Sequence, residues 1–224
     1  MDNSRWVFQA ELAEIRVAVL ELSASVTEAI PRATAILLDS DLEGAAYLIA
    51  ADAQIDAAAD EIERRCIEVL RLQAPVAVDL RQIVAAMRIV AEIERCGDLL
   101  VNICKAARRL AGHPIDEELS DLIRDMSRQA QRLHLSAIEA FIDSDPAKAA
   151  ALHDMDAYLD DLHSHFVQAI FTIHAAGRVD VQTAVQLGVV ARFYERIGDH
   201  AVNIGRRVHY MVTARLPERT TSEH

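Results

Sequence analysis

One short pattern occurs twice in this chain, and it constrains the fold more than any other feature. Glu94-Arg95-Cys96-Gly97-Asp98 is followed by Val101-Asn102-Ile103, and Glu195-Arg196-Ile197-Gly198-Asp199 is followed by Val202-Asn203-Ile204. The second copy begins 101 residues after the first, close to half of the 224 residues. Each copy sets two carboxylates four residues apart, stacked on one face of a helix. Such closeness costs energy unless solvent, a basic group or a cation separates the charges. The repeat therefore predicts first an internal duplication and then a cation site.

Punctuation elsewhere is sparse. Asp39-Ser40-Asp41, Ala74-Pro75, Gly112-His113-Pro114, Asp143-Ser144-Asp145-Pro146 and Ala176-Gly177 interrupt long periodic stretches. They leave six expected helices, near 5–38, 42–72, 77–111, 116–142, 146–175 and 179–213. Asp145 before Pro146 reads as an N-cap followed by proline at the first helical position. Gly112 and Gly177 suit helix C-termini. Pro31 falls inside the first helix and is expected to kink or split it. No alternation indicates a strand.

The duplication extends outward. Asp79 aligns with Asp180, Asp56-x-x-x-Asp60 with Asp156-x-x-x-Asp160, and Asp39-Ser40-Asp41 with Asp143-Ser144-Asp145, at offsets of 101, 100 and 104 residues. An all-α fold follows: two tandem antiparallel three-helix bundles related by an internal duplication, with a pseudo-twofold between them. The expected halves are 1–112 and 115–216, with a loose polar tail at 217–224.

Composition narrows the function. Lys and Arg number 23 against 35 Asp and Glu, a formal charge of −12. An acidic surface repels nucleic acid and anionic lipid, and favours cations and basic partners. No apolar run is long enough for membrane insertion, and the first residues carry no signal peptide. The three Cys (Cys66, Cys96, Cys104) are odd in number and carry no zinc spacing, so they read as reduced thiols in the cytosol. Cys66 and Cys96 are expected to be buried and inert.

On the third helix Glu94, Asp98 and Asn102 lie together, while Cys96, Leu99, Ile103 and Ala107 lie opposite. The sixth helix repeats this with Glu195, Asp199 and Asn203. The second helix carries Asp52, Asp56 and Asp60 on one line; the fifth carries Asp156 and Asp160, flanked by His153 and His163. Antiparallel neighbours would bring Asp56 and Asp60 to Glu94 and Asp98, and Asp156 and Asp160 to Glu195 and Asp199. Four carboxylates from two helices make a hard-cation site, expected here on the surface. A solvated acidic face is the plainer alternative, with Arg95 and Arg196 as partial neutralisers. His153, His163 and His200 read as surface polar groups rather than ligands.

The two signatures, with the turn Gln73-Ala74-Pro75-Val76-Ala77-Val78-Asp79-Leu80-Arg81, resemble those of the PhoU family over almost the whole chain. The resemblance implies a cytoplasmic regulator of phosphate uptake. Such proteins link the ATPase side of the phosphate ABC transporter to a sensor histidine kinase and hold the starvation response off when phosphate is plentiful. It also implies two three-helix bundles, often a homodimer, and multinuclear iron or zinc clusters. Carried over, the metal ligands are Glu94, Asp98, Glu195 and Asp199, with Asp56, Asp60, Asp156 and Asp160. Cys96 departs mildly from the usual apolar Ile, and Asp180-Val181-Gln182 is degenerate against Asp79-Leu80-Arg81. No catalytic constellation is visible, so a non-enzymatic adaptor is expected. The competing readings are a metal-dependent carboxylate-bridged enzyme and a metal-free helical scaffold.

Overall fold

The structure, a computed structural model, describes residues 3–215, with side chains from residue 5. The expected tail at 217–224 lies outside the described residues. Six helices make up the fold: α1 (Asn3–Leu38), α2 (Leu42–Gln73), α3 (Ala77–Arg109), α4 (Glu117–Asp143), α5 (Pro146–Ala175) and α6 (Val181–Thr213).

Local chemistry sets the helix starts. Asp41 accepts from the Gly44 N–H at 2.8 Å, and Asp145 accepts from Ala147 and Lys148 at 2.8 and 3.2 Å. Asp116 and Asp180 cap α4 and α6 in the same way. Each cap satisfies backbone N–H groups that have no partner within the helix. The turns before α2 and α5 match: Ser40 and Ser144 both take left-handed backbone, with φ of 54° and 50°. Asp79 and Asp180 do not match structurally. Asp180 is an N-cap, whereas Asp79 already lies in the first turn of α3, which starts from Val76 without a side-chain cap.

Pro31 neither splits nor ends α1, which runs unbroken to Leu38. Proline removes the N–H that would serve the Thr27 carbonyl one turn earlier. Gln131 of α4 supplies the replacement, donating to that carbonyl at 3.1 Å.

Helices α3 and α6 form the central antiparallel pair. Arg81 at the start of α3 donates to the Met211 carbonyl near the end of α6 at 3.3 Å, and Glu92 meets His200 midway at 2.7 Å. Helix α2 packs on α1 and α3, and α5 packs on α4 and α6. Helices α1 and α4 also pair antiparallel, through Ser23 with His134 at 3.1 Å and Arg16 with the Phe141 carbonyl at 2.8 Å. Antiparallel pairing of equivalent helices is what an internal twofold requires. The buried apolar side chains form one continuous core through both halves. Among the described residues no helix is long and apolar enough to cross a membrane.

Candidate metal centre

The glycine of each repeated motif fixes where the neighbouring acid row sits. A Cβ at Gly97 would lie 3.3 Å from Asp52 Oδ1; a Cβ at Gly198 would lie 2.5 Å from Asp156 Oδ1 and 2.7 Å from Leu159 Cδ2. Without side chains there, α2 approaches α3 and α5 approaches α6 closely enough to sink one aspartate of each row beside the motif. Asp52 and Asp156 are therefore equivalent, 104 residues apart like the caps Asp41 and Asp145.

This corrects the expected alignment of Asp56 with Asp156. Asp56 corresponds to Asp160, and Asp60 to Ser164. The slip is one helical turn, and an acid line spaced by four residues looks the same after such a slip. Only the packing opposite the line distinguishes the registers. Asp52, on the line but outside the expected ligand set, is the inner acid of the first half.

The second half brings its four expected residues together. Asp156, Asp160, Glu195 and Asp199 line one open groove of about 770 Å³ between α5 and α6. His153, His163, His200, Arg192 and Arg206 also line it. The inner acids are not on the surface as expected: Glu195 is only 9% exposed, and Asp156 is partly buried. Asp156 Oδ1 and Glu195 Oε2 are buried without a hydrogen-bond partner.

Burial, followed by Asp160, Asp199 and Glu195, pushes the Asp156 carboxyl up to about 7 against the opposing pull of Arg206. Burial and Asp199 push Glu195 up to about 7, opposed by Arg192. Asp160 is raised by burial and then by Asp199. Burial lowers the His163 imidazole, with Arg192 acting in the same sense and Asp160 opposing. In the first half, burial and then Asp56 and Asp98 push Asp52 up to about 6. Glu94 is raised by burial, with Arg95 opposing and Asp56, Asp98 and Asp60 adding to the rise. Each row is thus a set of mutually destabilising negative charges, which protons or cations relieve.

Arginine neutralises little of this. Arg95 pairs with Asp98 at 3.0 Å, and Arg192, not Arg196, pairs with Glu195. Among the described residues no ion pair reaches Asp56, Asp60, Glu94, Asp156, Asp160 or Asp199. The halves also differ. The repeat equivalents of His153, His163 and Arg192 are Ile49, Ala59 and Ala91, so only the second row has an imidazole and guanidinium frame. His200, expected as a plain surface group, ties the halves together through Glu92, which also accepts from Asn203 at 3.3 Å.

Carboxylate oxygens with nearby imidazoles suit a hard or borderline cation, and the two orphaned oxygens are free acceptors. Among the described residues no three His, Cys, Asp or Glu are gathered at coordination distance, so ligation requires these side chains to converge. The thiols point away from redox or nucleophilic work. Cys66, Cys96 and Cys104 are all free and buried, and burial pushes Cys66 and Cys104 up to about 11, opposite to an activated thiolate.

Comparison with known proteins agrees with this architecture. The PhoU domain pattern matches residues 19–107 and again 123–208. A phosphate-specific transport system accessory protein, PhoU homolog 1 of Mycobacterium tuberculosis (strain ATCC 25618 / H37Rv), is 37% identical over 214 residues, covering 95% of this chain and 96% of that protein. A PhoU homolog from Zymomonas mobilis is 30% identical, covering 95% and 90%. The crystal structure of PhoU from Pseudomonas aeruginosa superposes with a TM-score of 0.86 at 27% identity, covering 93% of this chain and all of that one. The phosphate transport system regulatory protein PhoU from Streptococcus pneumoniae also gives 0.86, at 26% identity, covering 94% and 99%. With both repeats matched and relatives aligned end to end, this chain belongs to the PhoU family.

Proposed function

We propose that this protein is a non-enzymatic accessory regulator of a phosphate-specific transport system. The relatives' names supply the transport system. The observation that carries a binding role is the pair of acid rows, with Asp156 Oδ1 and Glu195 Oε2 buried and unsatisfied beside the repeated motif. On this reading the protein works in the cytoplasm as an adaptor between the transporter's ATPase subunit and a sensor histidine kinase, and acts as a negative regulator when phosphate is plentiful. It would do so as a homodimer.

The cation belongs to the same proposal. Asp156, Asp160, Glu195 and Asp199 would hold it in the second half, and Glu94, Asp98, Asp56 and Asp60, joined by Asp52, in the first. A bound iron or zinc cluster would supply the positive charge that keeps these carboxylates ionised side by side at neutral pH. The chain's own part is to aim the acids from two helices through the glycine contact and to restrain Glu195 through Arg192.

The test is a deletion strain carrying a phosphate-responsive reporter. Wild-type chain should restore repression in high phosphate, and variants with the row acids changed to Asn or Gln should not. Affinity capture should recover the transporter ATPase and the kinase. Unchanged reporter output on deletion, with neither partner captured, rejects the regulatory role. Full complementation by the amide variants rejects the acids' part in it.

A further inference from the structure

The two halves bury their equivalent seams differently. In the second half α4 and α5 close on each other. Leu133 and Phe166 are fully buried there, and Gln129 donates across the seam to the Met155 carbonyl at 2.8 Å. The equivalent seam of the first half, between α1 and α2, is an open groove of about 760 Å³.

The sequence explains the opening through the 104-residue register. Ala18 and Ala29 stand on α1 where α4 has Leu122 and Leu133. Ala51 and Ala58 stand on α2 where α5 has Met155 and Leu162. Four large apolar side chains are thus replaced by methyl groups along one seam. Leu22, Leu48 and Ile62 remain as an apolar floor. The groove extends from Ala18 to Arg32 along α1, about 21 Å by helical rise.

Its rim is charged with one dominant sign. Glu21 and Glu28 line the α1 side and have no ion pair among the described residues; Asp52 and Glu61 line the α2 side, where Glu61 already pairs with Arg64. The two basic residues lie at opposite ends and are already engaged. Arg65 pairs with Glu14 at 2.6 Å, and Arg32 stacks on the exposed ring of Tyr47 at 4.7 Å.

We propose that the α1–α2 groove docks an amphipathic helix of a partner protein, one that presents a ridge of large apolar side chains flanked by Lys and Arg. Two antiparallel walls, an apolar floor and a length of about four helical turns match a helix lying in a groove and read at i, i+4 and i+7. The apolar ridge refills the space left by the four alanines. The basic flanks meet the unpaired Glu21 and Glu28 and set orientation and encounter rate. A second copy of this chain fits poorly, because a −12 molecule would bring acids to an acidic rim. The inference does not rest on the phosphate role, and of the proposed cation ligands only Asp52 lies on this rim.

The probe is a fluorescent peptide of about 20 residues with Leu at i, i+4, i+7 and i+11 and Lys on both flanks. A companion peptide carries Glu in place of Lys. Fluorescence anisotropy is read with the full chain, with Ala29→Leu/Ala51→Met and with Glu21→Gln/Glu28→Gln. The filled variant copies the residues of the closed seam, and its melting temperature should be equal to or above wild type. The Lys peptide should bind the wild type, weaken about tenfold or more on filling, and weaken about threefold in the glutamine variant or at raised salt. The Glu peptide should not bind. Failure of the Lys peptide to bind the wild type, or equal binding to the filled chain, overturns the proposal. Self-association in sedimentation that disappears on filling also overturns it, because the occupant is then a second copy.

Discussion

Two titratable side chains, one fully and one partly buried, pull stability in opposite directions with pH. His134 is fully buried between α1 and α4, with Nε2 3.1 Å from Ser23 Oγ and Nδ1 unpartnered. Burial depresses its imidazole to about 4, against a weaker opposing hydrogen bond from Ser23. Folding therefore selects the neutral ring. Its contribution is complete above the unfolded value of 6.5 and is lost as pH falls from there toward 4, up to about 3 kcal/mol. Asp156 is raised instead, so folding favours its protonated form. Its contribution is complete below 3.8 and is lost as pH rises toward about 7. Partial exposure reduces that contribution to about 1–2 kcal/mol. Urea unfolding in chelator at pH 4.5 and 7.5 separates the two. His134→Gln should remove much of the wild-type loss at pH 4.5. Asp156→Asn should raise stability at pH 7.5 by about 1–2 kcal/mol and, with the chelator left out, should reduce the stabilisation by added divalent cation. Equal pH slopes in all three proteins would contradict both assignments. The sequence made the acids visible because duplication repeats them. It could not make His134 visible, because its burial depends on α1, more than 100 residues away.

At the scale of helices, glycine and proline show what a sequence does and does not disclose. Gly97 and Gly198 occupy the same place in the repeated motif, yet their surroundings differ. An added Cβ meets its nearest atoms at 3.3 Å in the first case and at 2.5 and 2.7 Å in the second. Gly198→Ala should cost about 1–3 kcal/mol and displace the Asp156 carboxylate and the Leu159 side chain. Gly97→Ala should come out near neutral, because a mild crowding offsets the helix-propensity gain of about 1 kcal/mol. Thermal melts of the two variants check the difference, and equal losses would show that the approach at Gly198 relaxes freely. Pro31 supplies the second case. Gln131→Ala should cost about 1 kcal/mol in the wild type by stranding the Thr27 carbonyl. In a Pro31→Ala background it should cost far less, because the restored N–H takes that carbonyl over, and a double-mutant cycle measures the coupling. Helix number and most ends were readable from local signals, the caps and turns above all. The continuity of α1 was not, because the compensating donor belongs to another helix. The acid register was not, because it is set by contact with Gly97 and Gly198 rather than by periodicity.

For the whole molecule, the duplication predicts two halves, but the packing welds them. The core is continuous, α3 lies on α6, and α1 lies on α4. Polar contacts cross the same boundary. Thr34 Oγ1 of α1 lies 2.7 Å from Ser127 Oγ of α4 and 2.7 Å from the Tyr194 hydroxyl of α6, all buried. A polar cluster of this kind is stabilising only when all its members are present. Neither half alone offers that set, and each would expose the apolar face that the other covers. Divergence then acts on the surfaces that the shared core leaves free. The second half keeps a closed α4–α5 seam and a framed acid groove, while the first keeps an open α1–α2 groove and a barer acid row. If the boundary is as strong as the packing indicates, the protein unfolds in one step despite its repeat. Calorimetry of the full chain in chelator should give a single transition with equal calorimetric and van't Hoff enthalpies. Tyr194→Phe should lower that one transition as a unit, by about 1 kcal/mol of stability, rather than split it. Residues 1–112 expressed alone should show weak helicity and no cooperative melt. Two resolved transitions, or a cooperative melt of the isolated half, would mean that each bundle holds its own core and that the buried α1–α4–α6 hydroxyl cluster only aligns them.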